Sequence, residues 1–262
     1  MVIRNLQTGE IVRVSRPLQQ ATQLFTLPPA DTVVWKYGDY YKFTALFSEN
    51  RLYFRRADQL PDIYEGKFTA ANETRRSTMF TDAFTDLGLG DAVPILRIQE
   101  SHRSHTFLNC WHKNERENPR MWREYTSTSE SVVLVSKVSG LFAGTPVQCK
   151  GAEVHYVDED EALPELHSLA ALVHKRREPY AFEVEFRLLY MLPQEEAVFL
   201  DQPCDYFRLI PADPSTLVHQ VRFHPAATAG FKARVCADIA AAGLAVPTRD
   251  SDFVGQWPVP GC

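Results

Sequence analysis

The sequence predicts an α+β fold, in which a single domain holds a mixed or antiparallel sheet with flanking helices. Three observations support this class. Strand-like and helix-like segments follow one another irregularly, rather than alternating as they do in a doubly wound sheet. In the run from 182 to 192, residues 182–188 alternate apolar and charged side chains, as a strand of an antiparallel sheet does. Among the 262 residues, 45% are hydrophobic and 23% are charged, which is typical of a globular protein.

We expect three segments along the chain. Residues 1–30 are mixed in polarity and end in Pro28-Pro29, which predicts an N-terminal arm or a peripheral strand pair. Residues 31–253 form the main domain, and residues 254–262 form an extended C-terminal tail. No internal repeat or low-complexity segment interrupts this order.

The elements of the first half follow from local patterns. Residues 33–37, 52–55 and 106–111 read as strands, and residues 40–49 read as a helix. Residues 82–99 are punctuated by Gly and Pro, so we expect a loop or a short helix pair there. Asn118 and Pro119 predict the start of a short helix, with Asn as the N-cap and Pro in the first helical position.

The second half is predicted in the same way. Residues 131–136, 154–157, 218–223 and 244–247 read as strands, and residues 163–174 and 226–242 as helices. In the last helix Phe231, Val235 and Ile239 form the buried stripe, and Gly243 suits the C-terminal cap.

Charge and motif content exclude several classes of function. The net charge of −5 argues against bulk nucleic-acid binding, which requires a basic surface. The chain lacks Gly-x-Gly-x-x-Gly, a Walker loop, Gly-x-Ser-x-Gly and His-Glu-x-x-His. No apolar stretch approaches the ~20 residues that span a bilayer, and the N-terminus lacks a signal-peptide core. Five scattered cysteines without a Cys-x-x-Cys pair suit a reducing compartment, so we expect a cytoplasmic protein that does not bind membranes.

Residues 102–112 concentrate imidazoles and a thiol, in the form of His102, His105, Cys110 and His112. Zinc requires four ligands that converge tetrahedrally, and no second close pair of ligands occurs elsewhere in the chain. Ordinary packing therefore explains these residues better, and we predict no metal site.

The strand-like run 182–192 contains the strongest candidate for a site. Its period of two places Glu183, Glu185 and Arg187 on one face, roughly 6–7 Å apart. Two carboxylates beside a guanidinium indicate a polar site on a rigid element. The alternative is the solvated face of an antiparallel strand, with an ion pair that contributes about 0–1 kcal/mol.

Five stretches, taken together and in order, resemble the bacterial family called domain of unknown function 2971 (DUF2971). They are residues 34–37, residues 52–66, residues 109–125, residues 131–134 and residues 175–187. The chain departs from the family pattern at Pro61, where Asn is usual, and at Ile63, where Pro is usual. The resemblance spans about residues 33–253.

The resemblance implies site residues from distant parts of the chain. The family itself brings no established activity; for an enzyme, we predict Glu185, Glu183 and Arg187 as the catalytic residues. The implied ligand-binding residues are Lys36, Tyr37, Glu65, Trp122, Tyr125 and Lys175. The order of these segments is also similar to that of ADP-ribosyltransferase-like domains, which bind NAD, with Lys36 in place of their His. In that comparison Arg187 and Lys36 would hold phosphate, and Trp122 and Tyr125 would form the wall of the pocket.

Two functions remain open at this stage. The first is a non-catalytic module that binds a ligand or a protein partner, in a bacterial stress or phage-defence system. The second is an enzyme of ADP-ribosyltransferase-like type that processes a nucleotide or NAD. Both predict a small-molecule or nucleotide ligand, and neither predicts nucleic acid as a partner.

Overall fold

The computed structural model describes residues 2–4, 11–13, 25–75, 77–78, 102–162, 169–192 and 205–258. Its fold is α+β with a mostly antiparallel sheet, as the sequence predicts. The predicted loop or helix pair at residues 82–99 lies outside these ranges.

Nine of the described strands form the main sheet. In chain order these are β3 (Val33–Asp39), β4 (Arg51–Arg56), β5 (Thr106–Lys113), β6 (Ser131–Lys137), β7 (Lys150–Glu153), β10 (Glu185–Met191), β11 (Phe207–Pro211), β12 (Gln220–Phe223) and β13 (Thr248–Arg249). Two smaller sheets pair β1 (Val2–Arg4) with β2 (Ile11–Arg13), and β8 (His155–Val157) with β9 (His174–Arg176). The β12–β13 and β8–β9 pairs are parallel, and the other pairs are antiparallel.

The main sheet forks at β5. One edge of β5 pairs with β10, from Thr106 opposite Met191 to His112 opposite Glu185. The other edge is shared, because residues 107–108 pair with β4 and residues 112–113 pair with β3. In the described pairings, no strand lies along that edge between these two contacts. Polar side chains reach the backbone here instead, since Lys36 donates to the Cys110 carbonyl at 2.8 Å and Asn109 donates to the Tyr53 carbonyl at 2.7 Å.

The helices that flank the sheet include α1 (Thr44–Glu49), α2 (Pro119–Tyr125), α3 (Val138–Ala143), α4 (Pro214–Leu217) and α5 (Ala229–Ala241). The cap predicted for α2 is confirmed, since the Asn118 side chain accepts a hydrogen bond from the Arg120 amide at 2.9 Å. Gly243 follows α5 with φ of +70°, a conformation that residues with a Cβ rarely adopt. Short helical turns cover residues 40–43, 57–59, 170–173, 177–180 and 181–183.

The two faces of β10 serve different purposes. Phe186 and Leu188 are fully buried in the main hydrophobic cluster, where they pack with residues of β3, β4 and α5. Glu185 and Arg187 point to the opposite face, because strand side chains alternate. Leu189 lies on that face too, in a smaller apolar cluster with Leu108 and Leu172. A buried charged pair is thus enclosed by apolar residues on its own side of the sheet.

Three predicted elements are wrong in part. The strand predicted at 182–192 begins only at Glu185, because residues 181–183 form a helical turn and Val184 adopts a left-handed conformation. In the described part of the predicted helix 163–174, residues 170–173 form a short turn and His174 begins β9. Residues 244–247 are irregular, and the strand beside β12 is displaced to Thr248–Arg249, which pairs with residues 221–222.

Candidate functional site

Arg187 lies at the centre of a buried ion-pair network. Its guanidinium donates to Glu65 at 2.5 and 2.9 Å and to Glu185 at 2.6 and 3.1 Å, and to the Leu172 carbonyl at 2.8 Å. These contacts use all five N–H donors that an arginine possesses. The side chain is completely buried. The role implied for Arg187 in holding phosphate is therefore wrong, because no donor is left for a ligand.

A second ion pair extends the network outward. Lys175 lies 2.6 Å from Glu183 and 3.7 Å from Glu185. The Tyr125 hydroxyl donates to the other oxygen of Glu183. Tyr125 is 37% exposed, whereas Glu183 and Glu185 are almost entirely buried. The network therefore meets the surface at Tyr125.

The backbone between the two glutamates is strained. Val184 has φ of +39°, which is an outlier for a β-branched residue. Its carbonyl accepts a hydrogen bond from the Lys113 amide at 2.9 Å. This conformation carries Glu183 off the strand while Glu185 stays on it. Both carboxylates nevertheless reach Lys175, so the strained residue joins the two parts of the network.

The network holds more acid than base. Three carboxylates (Glu65, Glu183 and Glu185) face two cations, Lys175 and Arg187. Burial alone would raise the pKa of Glu185, but Arg187 and Lys175 outweigh it and hold this pKa at about 2. Burial and the charge of Glu185 instead raise the pKa of Glu183. Glu183 is therefore the carboxyl group in the pair that more readily accepts a proton, while Glu185 stays ionised.

Lys36 occupies the fork of the sheet. Its Nζ donates to the Cys110 carbonyl at 2.8 Å and lies 5.7 Å from the centre of the Trp111 ring. Burial lowers the pKa of Lys36 to about 8, although the negative charge of Glu185 acts in the opposite direction. Cys110 stands opposite Arg187 in the β5–β10 pairing. Lys36 is thus in electrostatic contact with the network.

Tyr37 and Trp122 lie in a neighbouring apolar cluster rather than in the network. Trp122 is fully buried, and its indole N–H donates to Glu117 at 2.5 Å. The Tyr37 ring packs against the Trp122 ring at 5.0 Å, and its hydroxyl accepts from the Asn118 amide. Trp122 cannot form the wall of a pocket as expected, because no face of its ring is open.

Two polar features were not anticipated from the sequence. His112, considered above only as a metal ligand, lies with Nδ1 2.5 Å from the carbonyl of Glu183 and so supports that turn. Glu117 is also buried, and it accepts hydrogen bonds from Trp122, Ser251, Arg222 and the Asp252 amide. A carboxylate inside a run of polar residues gives no local signal of burial.

Within the described residues, no group of three His, Cys, Asp or Glu side chains could hold a metal ion. No helix among them is both long and apolar enough to cross a membrane.

Fold and site together define an α+β protein with an acid-rich ion-pair network beside the fork of its sheet. No protein-family model matches this chain, and neither does any curated protein. Among solved structures, it is similar to DarT of Thermus sp. 2.9 in complex with carba-NAD+, at 12% identity and a TM-score of 0.38, over 86% of this chain and 97% of that one.

A second structure of DarT from Thermus sp. 2.9, in complex with ADP-ribosylated ssDNA, is similar at 11% identity and a TM-score of 0.38. The match covers 88% of this chain and 98% of the DarT chain. These comparisons give no support to the expectation that nucleic acid is excluded as a partner.

Proposed function

We propose that this protein is an enzyme that cleaves the N-glycosidic bond of NAD or a related nucleotide and transfers the ribosyl group. The observation that carries this proposal is the Glu183–Glu185 pair, in which one carboxylate stays ionised and the other has a raised pKa. Because the overall similarity to the DarT structures is weak, we base the proposal on the residues of this chain.

The buried carboxylates of the network suit a reaction in which positive charge develops on the ribose. As the bond between C1′ and the nicotinamide nitrogen breaks, its electron pair leaves with nicotinamide and the ribose becomes an oxocarbenium ion. A fixed carboxylate in a site of low dielectric constant stabilises such a cation. Glu185 suits this role as a fixed buried charge that acts at a distance, because Arg187 binds both of its oxygens and its pKa of about 2 keeps it ionised at every physiological pH.

The second half of the reaction requires a base. A hydroxyl group or a water molecule forms the new bond to C1′, and its proton must be removed. Glu183 has the raised pKa that favours a general base, and its partner Tyr125 is the exposed end of the network. Arg187 and Lys175 hold the two carboxylates in place, and Lys36 remains a residue for ligand contact at the fork.

The wider assignment is part of the same proposal. We infer that the chain is a member of the DUF2971 family with an ADP-ribosyltransferase-like domain, and that it acts in bacterial stress or phage defence. The five stretches of resemblance at residues 34–37, 52–66, 109–125, 131–134 and 175–187 support membership of the family.

A non-catalytic module is the second candidate, and one observation favours it. The donors of Arg187 are all satisfied within the protein, and the side chain is completely buried. A network closed in this way can serve the fold alone, or a module that binds a ligand or a protein partner at its rim.

Incubation of the purified protein with NAD, followed by chromatography of nicotinamide, separates the two candidates. The enzyme should release nicotinamide, and Glu183→Gln should slow release by about 10²- to 10³-fold, as expected for the loss of a catalytic group. Glu130→Gln is the matched control, because Glu130 forms an exposed ion pair with Arg234. Release should be unchanged in this variant.

The absence of nicotinamide release from folded wild-type protein, with NAD and with related nucleotides, would rule out the enzyme. Equal activity of Glu183→Gln and wild type would remove Glu183 from the mechanism. Circular dichroism of each variant establishes that it is folded before the rates are compared.

A further inference from the structure

A shallow groove runs beside the ion-pair network, and we call it the Tyr64 groove. Its lining includes Tyr64, Lys67, Thr69, His174, Lys175 and Arg176. Lys175 and Arg176 are neighbours on β9, so the same short strand contributes to both the groove and the network. The centre of the Tyr180 ring lies 4.1 Å from the Lys175 nitrogen and 6.0 Å from the Arg176 guanidinium carbon.

Arg176 has an unused donor in this groove. Its Nη2 pairs with Asp62 at 3.1 Å, and its guanidinium lies 4.0 Å above the Tyr64 ring. Its Nε is buried and has no hydrogen-bond partner in the protein. Buried donors without partners are rare, because the lost hydrogen bonds to water are not replaced. A ligand that accepts a hydrogen bond from Nε would satisfy this donor.

A second cation stands near the same ring. The Lys67 nitrogen lies 5.9 Å from the centre of the Tyr64 ring, and the Lys67 side chain is exposed. Glu159 also lines the groove, but its carboxylate accepts a hydrogen bond from the Ala70 amide at 3.2 Å. The charge of Lys175 is directed to Glu183 and Glu185. Lys67 and the Nε of Arg176 thus remain for an anion.

We propose that the Tyr64 groove binds the diphosphate of a nucleotide ligand. An arginine with a free N–H and a flexible lysine on an aromatic surface form a suitable site for phosphate oxygens. The nucleotide identity rests on the proposed function, whereas recognition of phosphate rests on the groove alone. Lys175 lines the groove and pairs with Glu183 at 2.6 Å, so a diphosphate in the groove would lie close to Glu183, where the sugar would react.

Isothermal titration calorimetry tests this site without any need for turnover. The titrants are ADP, inorganic pyrophosphate and adenosine, at constant ionic strength. ADP and pyrophosphate should bind, and adenosine should bind at least about tenfold more weakly than ADP. Binding of pyrophosphate as tight as that of ADP would identify the phosphates as the recognised group. Adenosine binding as tightly as ADP would overturn the proposal.

Matched variants locate the site. Arg176→Gln and Lys67→Ala should each weaken ADP binding by about tenfold. Arg177→Gln is the control, because Arg177 is the next residue but pairs with Asp158 and Glu161 on the surface. It should bind ADP like wild type. Lys67 is exposed, so its variant tests the groove even where Arg176→Gln does not fold.

Wild-type affinity in both groove variants, or equal weakening in Arg177→Gln, would overturn the proposal. The two proposals fail separately. ADP binding that is lost in the groove variants, in a protein that releases no nicotinamide from NAD, would preserve the groove and discard the enzyme. Nicotinamide release with no ADP or pyrophosphate binding would preserve the enzyme and discard the groove.

Discussion

Replacing Arg187 by methionine should destabilise the protein strongly. The change removes the cation that pairs with Glu65 and Glu185, and it leaves both carboxylates buried. Removing one partner of a buried ion pair costs about 3–5 kcal/mol in the free energy of unfolding. Domains are stable by only about 5–15 kcal/mol. Because each kcal/mol shifts Tm by about 2–4 °C in a protein of this size, we expect a fall of roughly 6–20 °C.

Urea denaturation and thermal melting, both followed by circular dichroism, measure this loss. Arg177→Met is the matched control, since it removes the same charge from an ion pair that is about half exposed on each side. Such a pair contributes about 0–1 kcal/mol. A double variant, Arg187→Met with Glu65→Gln, removes one of the stranded charges and should recover part of the stability.

The double variant also measures the interaction between the two residues. For groups in direct contact, we expect a coupling free energy of about 0.5–3 kcal/mol. The reasoning would be refuted if Arg187→Met cost no more than Arg177→Met, or if the effects of Arg187→Met and Glu65→Gln simply added. Either result would mean that the Arg187 contacts do not act as a unit in the folded protein.

Three further outcomes follow from the pKa values of the site. The pKa of Glu185 is lowered from 4.5 to about 2, so its contribution to stability is present above about pH 4.5 and is lost as the pH falls through about 2. This contribution amounts to about 3 kcal/mol. Glu185→Gln should remove this pH dependence from the free energy of unfolding, as measured by urea denaturation at a series of pH values. Because the Tyr125 hydroxyl lowers the pKa of Glu183, Tyr125→Phe should raise it in a carboxyl ¹³C NMR titration, whereas Tyr41→Phe, at an exposed tyrosine, should not. Lys36, after reductive ¹³C-methylation, should titrate near pH 8, and this signal should vanish in Lys36→Arg. Titration of Lys36 together with the exposed lysines would show that burial does not perturb it.

Local patterns in the sequence predicted the strands and caps that depend on only a few consecutive residues. Strands β3, β5 and β6 are apolar runs bounded by polar residues, and they form where expected. The cap at Asn118 was predictable because an N-cap depends on a few consecutive residues. The pairing of Arg187 with Glu185 was also predictable, because the two residues lie two positions apart on one strand.

The rest of the network depends on the tertiary structure. Glu65 and Arg187 are 122 positions apart, so no pattern within the chain indicates their pairing. Alternation predicted a strand through Val184, but residues 181–183 form a helical turn whose cap is Val184, with the Val184 amide donating to the Ala181 carbonyl. Trp122 was expected at a pocket wall, although a buried and an exposed tryptophan look alike in sequence. The position of such residues is set by packing against distant segments.

The fork at β5 also bears on how the polypeptide reaches its native state. β5 pairs with β3, β4 and β10, and β10 leaves the ribosome long after β5 has emerged. Until then, a strand rich in apolar side chains exposes a hydrogen-bonding edge, which invites pairing with other chains. Such non-local assembly is slow and exposed to aggregation. Nascent chains that end before residue 185 should therefore depend on chaperones more than the finished protein does.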